Sequence, residues 1–207
     1  MDTKSRILAT AEVQFAKHGY EGTSLRDITE AAQVNIAAVN YHFGSKEGLL
    51  TSLLDRVIAP MNAERLRLLE EATADGPLEL RQVLTAFLLP DLHGLEALRK
   101  RNRELPRFVS RMYSESSPLM EGVIGEQFAT MRERFGQAFA ETLPHLDQEE
   151  LSFRISCLVG IVVYMFASVE APGVSPLTTA DTESDLRRLL SITESMFRAP
   201  IPEVTTA

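Results

Sequence analysis

The side chains best suited to touching nucleic acid lie between Thr23 and Lys46. Thr23, Ser24 and Arg26 put two hydroxyls, free amides and a cation at the start of one short helix, and Ser45 and Lys46 do so at the start of another. Free amides at a helix N-terminus, with the helix dipole behind them, favour phosphate oxygens. Between these two ends, Ala37 and Tyr41, flanked by Ala38 and Asn40, form the outward side of the segment Asn35–Phe43, with His42 beside them. Alanine lets a backbone approach a groove closely and can touch a thymine methyl; asparagine can pair with adenine or a phosphate; tyrosine and histidine can donate to phosphates.

Those residues act together only if short helices hold them. Apolar residues at helical spacing (Ile7, Leu8, Ala11, Phe15) predict a first helix from Asp2 to His18, stopped by Gly19. Ser24, with Asp27 three residues on, predicts a capping box opening a second helix through about Ala32. Asn35 caps a third that ends at Gly44, and Ser45 caps a long fourth, in which Pro60 is expected to produce a kink. The second and third, joined by a tight turn at Gln33 and Val34, form a helix-turn-helix pattern. On the third, Val39 and Phe43, joined by Ile36, are expected to face a core of Ile7, Leu8, Phe15, Leu25 and Ile28.

Further amphipathic segments follow at Leu78–Arg103, Pro106–Ser114, Leu119–Leu143, Gln148–Val169 and Asp181–Phe197, with no internal repeat and no alternating strand pattern. The expected fold is all-α, with an N-terminal helix-turn-helix domain over residues 1–47 and a larger helical domain over 48–207.

The stretch TSLRDITEAAQVNIAAVNYHFGSKEGLL, Thr23 to Leu50, resembles the DNA-binding signature of TetR-family transcriptional regulators. The match lies in a threonine or serine followed by RDI, the AA.V turn, an aromatic pair ending in HF, and SKE opening the fourth helix. The resemblance implies a homodimeric regulator, most often a repressor, that binds a double-stranded operator and is released by a small molecule held in its body. Phosphate contacts then carry over to Tyr41, His42 and Lys46, and base contacts to Ala37, Ala38 and Asn40. Two departures stand out. Gln33 occupies the turn where the family usually has glycine, and Asn40 replaces a common tyrosine; the variant AAVNYHFGSKE is similar to a branch that includes regulators responding to fatty acids.

The resemblance also places a dimer interface on the last two long helices, with Leu158, Ile161, Val162, Leu186, Leu189, Leu190 and Met196 as its candidates. The alternative is a helix interior to a monomer. The remaining helices should enclose a pocket for a small hydrophobic or amphipathic effector, and Phe87, Phe108, Met112, Phe128, Met131, Phe135, Tyr164 and Met165 are the large, adaptable side chains that can line it or fill an ordinary core. Arg103, Arg107 and Arg111 recur every four residues and fit either an anionic ligand group or a solvated surface.

The net charge of −8 repels nucleic acid from the protein as a whole. Even the segment through Leu50 carries five cations (Lys4, Arg6, Lys17, Arg26, Lys46) against six acids (Asp2, Glu12, Glu21, Asp27, Glu30, Glu47). DNA binding must therefore rest on placed contacts and on pairing of two copies. The single cysteine, Cys157, forms no internal disulfide framework, and the charged N-terminus does not read as a signal peptide, so a cytoplasmic protein is expected. The uncharged run Ile155–Val169 would reach only about 22 Å as a helix, short of the roughly 30 Å hydrocarbon layer. No metal-ligand spacing, nucleophile motif or phosphate loop appears, so neither a cofactor nor an enzymatic activity is expected. A different class, an effector-free architectural or division-control protein with the same head, would be favoured by a body without an enclosed cavity.

Overall fold

The computed structural model describes residues 2–74, 76–114, 118–169, 175, 177 and 181–201, without side-chain detail at 114, 118–121, 124 and 126. Among them are nine helices and no strand: α1 (Thr3–His18), α2 (Leu25–Ala32), α3 (Ile36–Phe43), α4 (Lys46–Ala74), α5 (Leu80–Arg101), α6 (Leu105–Ser114), α7 (Pro118–Thr142), α8 (Gln148–Ser168) and α9 (Thr182–Arg198). Most of the break expected at Ser116–Pro118 and of the loop Ala171–Thr179 lies outside the described residues.

The head is built from local signals. Asp2 accepts the Ser5 amide at 2.8 Å to open α1, and Gly19 ends it at φ 73°, with its amide bound to the Phe15 carbonyl. Ser24 and Asp27 form the expected reciprocal capping box of α2, Asn35 accepts the Ala37 amide at 2.8 Å at the start of α3, and Ser45 accepts the Gly48 amide at 3.0 Å in the first turn of α4. Ile7, Ala11, Phe15, Ile28, Val39 and Phe43 then close the three helices on one another and on Leu49 and Leu50 of α4.

The head leans on the body at two further places. Phe15 stacks on Phe108 of α6, with ring centroids 6.0 Å apart and planes 8° apart, and the buried Glu12 pairs with Arg101 at the end of α5. The fourth helix runs unbroken from Lys46 to Ala74 through Pro60, so whatever moves its far half can reach the head directly. Its partner in the body is α5, and the two approach so closely that a Cβ at Gly94 would collide with Met61 Sδ.

The apolar segment noted in the sequence is longer than its uncharged run: α8 has 21 residues and by length and composition alone could cross a bilayer. It packs instead as a body helix, and its buried Arg154 is bound by Glu150 at 2.6 Å and by the carbonyls of Met196 and Phe197 at the end of α9.

Candidate nucleic-acid interface and ligand cavity

The third helix presents its chemistry outward. Val39 and Phe43 are buried against the head, whereas Ala37, Asn40 and Tyr41 are exposed, Tyr41 at 85%. Two positions differ from the sequence reading. Ile36 is 45% exposed rather than part of the inward stripe, because it occupies the first position of the helix, where the neighbouring elements cover only half of it. Ala38 is half-buried and packs on the head core, so its methyl is only partly available to a groove. His42 is half-buried between Tyr41 and Phe43, 5.0 Å from the first ring and 6.1 Å from the second.

At the N-terminus of α2 the expected phosphate contacts are largely occupied by the protein itself. Thr23 is buried; its hydroxyl donates to the Gly19 carbonyl at 2.8 Å, with the Gln14 carbonyl 3.2 Å away, and its amide is bound to Tyr20. It holds the α1–α2 turn, and both of its hydrogen-bond donors are used within the protein. Ser24 donates both its hydroxyl and its amide to Asp27 Oδ2. Those bonds hold the Asp27 carboxyl below the usual carboxylate range, so a fixed negative charge already sits on this helix end. Arg26 remains exposed, paired with Glu30 at 2.7 Å, a solvated pair that a stronger anion can displace. Lys46 is half-buried with its Nζ 4.0 Å above the Tyr20 ring, a cation–π contact it would have to loosen to reach a phosphate. In the turn, Gln33 adopts the left-handed conformation at φ 53°, and its amide and that of Val34 return to Glu30, Thr29 and the end of α2. The turn thus keeps glycine-like geometry with a side chain in place.

In the body, a cavity of about 750 Å³ opens between α5, α6, α7 and α8. Phe87, Phe128, Met131 and Phe135 line it, together with Tyr113, Leu146, Leu151, Ile155, Val159, Val162 and Val163. Phe108, Met112 and Met165 do not: each is almost wholly buried in the continuous core, Phe108 against Phe15. Tyr164 is 48% exposed and is not among the residues that line the cavity. Arg103, Arg107 and Arg111 also lie off the cavity; Arg103 and Arg111 are exposed and Arg107 is half-buried, its nearest acid Glu104 at 3.9 Å.

The charged group that does line the cavity's interior is Arg65 of α4, which the sequence reading missed. It is buried and paired with the equally buried Asp91 of α5, while Nε donates to the Phe87 carbonyl at 3.1 Å and Nη1 to Asn62 Oδ1 at 2.6 Å. Both residues occupy apolar stripes, Arg65 four residues after Met61 and four before Leu69, Asp91 between Leu88 and Leu95. A cation and an anion interrupting the stripes of two successive helices was the available signal.

The eighth helix has three sides. Leu158 and Met165 face the core, Leu151 and Val162 are buried where core and cavity meet, Ser152, Ile155, Ser156, Val159 and Val163 face the cavity, and Phe153, Gly160 and Tyr164 are exposed, with Cys157 and Ile161 half-exposed beside them. Leu158, Val162, Leu189 and Leu190, expected at a dimer interface, are therefore inside the protomer; Ile161, Leu186 and Met196 are half-buried.

A capped helix-turn-helix head fused to a larger helical body is the architecture of a DNA-binding regulator. The chain belongs to the tetR family of bacterial regulatory proteins: the family model of that description matches residues 7–53, and the tetracyclin repressor-like C-terminal domain matches residues 85–195. That places it among regulatory proteins and not among enzymes. It is 27% identical over 135 residues to the probable HTH-type transcriptional regulator YttP of Bacillus subtilis, a match over 65% of this chain and 61% of that protein. It is 28% identical over 169 residues to the HTH-type transcriptional repressor NicS of Pseudomonas putida, covering 81% and 73%. Among solved structures, HlyIIR, a hemolysin II transcriptional regulator, aligns over 92% of this chain and 96% of its own with a TM-score of 0.60 and 22% identity.

Proposed function

We propose that the protein is a cytoplasmic, homodimeric, sequence-specific DNA-binding transcriptional repressor, released from its operator by a small, mainly apolar molecule bound in the body cavity. The observation that carries the DNA-binding part is the outward face of α3, where Ile36, Ala37, Asn40 and Tyr41 are exposed on a helix held from behind by Val39 and Phe43. Ala37 and Ile36 offer apolar contact to thymine methyls, Asn40 a base edge, and Tyr41 a phosphate. Arg26, His42 and Lys46 supply further phosphate contacts once their present partners yield.

Dimerisation rests on a stripe of α8 on which Phe153, Gly160 and Tyr164 are exposed and Cys157 and Ile161 half-exposed, with Ile192 of α9 63% exposed as well. Two copies joined there can read half-sites about one helical turn or more apart. The cavity supports an effector over an effector-free role, and its lining suggests the route of release. Arg65 is the one α4 residue among the lining residues, and α4 begins directly after α3. A ligand that binds one position of α4 better than another shifts the recognition helices through it, to the extent of that difference in affinity.

Fluorescence anisotropy with a duplex from the region upstream of the protein's own gene tests the interface. Tyr41→Ala should weaken binding about ten- to a hundredfold with the fold intact; unchanged affinity would remove α3 from the contact. Tyr164→Glu should convert the dimer to a monomer in light scattering, and an undisturbed dimer would move the interface off this stripe.

A further inference from the structure

The charge carried by the cavity wall constrains what the cavity can hold. Arg65 and Arg132 are its charged lining residues among those described; the others are apolar or neutral. Arg132 is exposed and donates to the Gly125 carbonyl at 3.1 Å, so water screens its charge. Arg65 is buried, with its guanidinium 5.2 Å from the centre of the Phe87 ring. Three of its five N–H groups are directed at Phe87, Asn62 and Asp91, leaving two. Asp91 gives one carboxyl oxygen to Arg65, and its other oxygen has no hydrogen-bond partner among the described residues. Tyr113 stands close to the same pair, and burial, reinforced by the Asp91 charge, pushes its phenol upward, which keeps it neutral.

Resting on the reading of this cavity as the effector site, we propose that it selects apolar molecules whose polar end is a single uncharged hydroxyl or carbonyl, and discriminates against the corresponding carboxylates and ammonium ions. A neutral oxygen can accept from the remaining N–H groups of Arg65 and exchange a hydrogen bond with Tyr113, with no charge left over. A carboxylate would bring a second anion to an arginine already neutralised by Asp91, beside an Asp91 oxygen that lacks any donor. An ammonium would meet the guanidinium first, with Asp91 behind it and off the cavity wall. Either charge would be buried without a counter-charge, which costs far more than a neutral hydrogen-bonding group does. Phe87, Tyr113, Phe128, Met131 and Phe135 then enclose the apolar remainder.

The test is competition by decanol, decanoate and decylammonium, which share one chain length, against Nile red bound to the full-length protein near neutral pH, with native mass spectrometry to count bound molecules. Decanol should bind at least about tenfold more tightly than either ion. In Asp91→Asn, which frees the Arg65 charge, the order should reverse in favour of decanoate. Tighter binding of decanoate or decylammonium to the unaltered protein overturns this inference and leaves the cavity an effector site. Binding of none of the three removes the effector reading, and the inference with it.

Discussion

The head and the body hold their polar groups in opposite ways. In the head the caps and pairs mostly join residues two to four apart and face solvent: Asp2 with Ser5, Ser24 with Asp27, Arg26 with Glu30, Asn35 with Ala37. In the body the decisive contacts are buried and join distant residues: Arg65 with Asp91, Asn62 with the Gln127 carbonyl, Arg154 with the carbonyls of Met196 and Phe197. Local exposed contacts are individually weak and can be exchanged for a phosphate at little cost. Buried ones fix the relative positions of helices.

Removing one partner from each region should separate them most. Arg65→Met leaves Asp91 buried without its cation and should destabilise the protein by about 3–5 kcal/mol in urea unfolding, whereas Arg26→Met, on an exposed pair, should change it by less than about 1 kcal/mol. Equal losses would erase the distinction. Ser24→Ala removes the capping box of α2 and should cost about 1 kcal/mol, seen as a lower unfolding midpoint. A smaller effect of opposite sign is expected in the turn: Gln33→Gly relieves a left-handed non-glycine residue and should raise stability by up to about 1 kcal/mol, a gain readable as a higher Tm.

The same contrast decides what the sequence makes legible. The caps at Ser24, Asn35 and Ser45 and the stops at Gly19 and Gly44 stand out because cap and partner lie within one turn of chain, and the helix bounds follow from them. The outward setting of Ala37, Asn40 and Tyr41 follows from 3.6-residue periodicity once Val39 and Phe43 are placed inside. Thr23 was legible as a hydroxyl near a helix start, but not as one whose bond goes back to α1. In the body, α8 is apolar nearly all round, so its pattern does not tell core from cavity from outer surface; only the packing of α5, α6, α7 and α9 turns Leu158 and Val162 inward and leaves Phe153 and Tyr164 outside. The Arg65–Asp91 pair crosses 26 positions and two helices, and no single-helix pattern joins them.

The most direct test of the central claim is enrichment of bound duplexes from a random pool by the wild-type protein and by Ala37→Glu, which sets a negative charge on the outward face of α3. The wild type should enrich one inverted-repeat sequence whose half-sites are about one helical turn or more apart, and Ala37→Glu should enrich none. A wild-type protein that enriches no common sequence, or an Ala37→Glu variant that enriches the same one, would contradict the assignment of α3 as the reader of DNA.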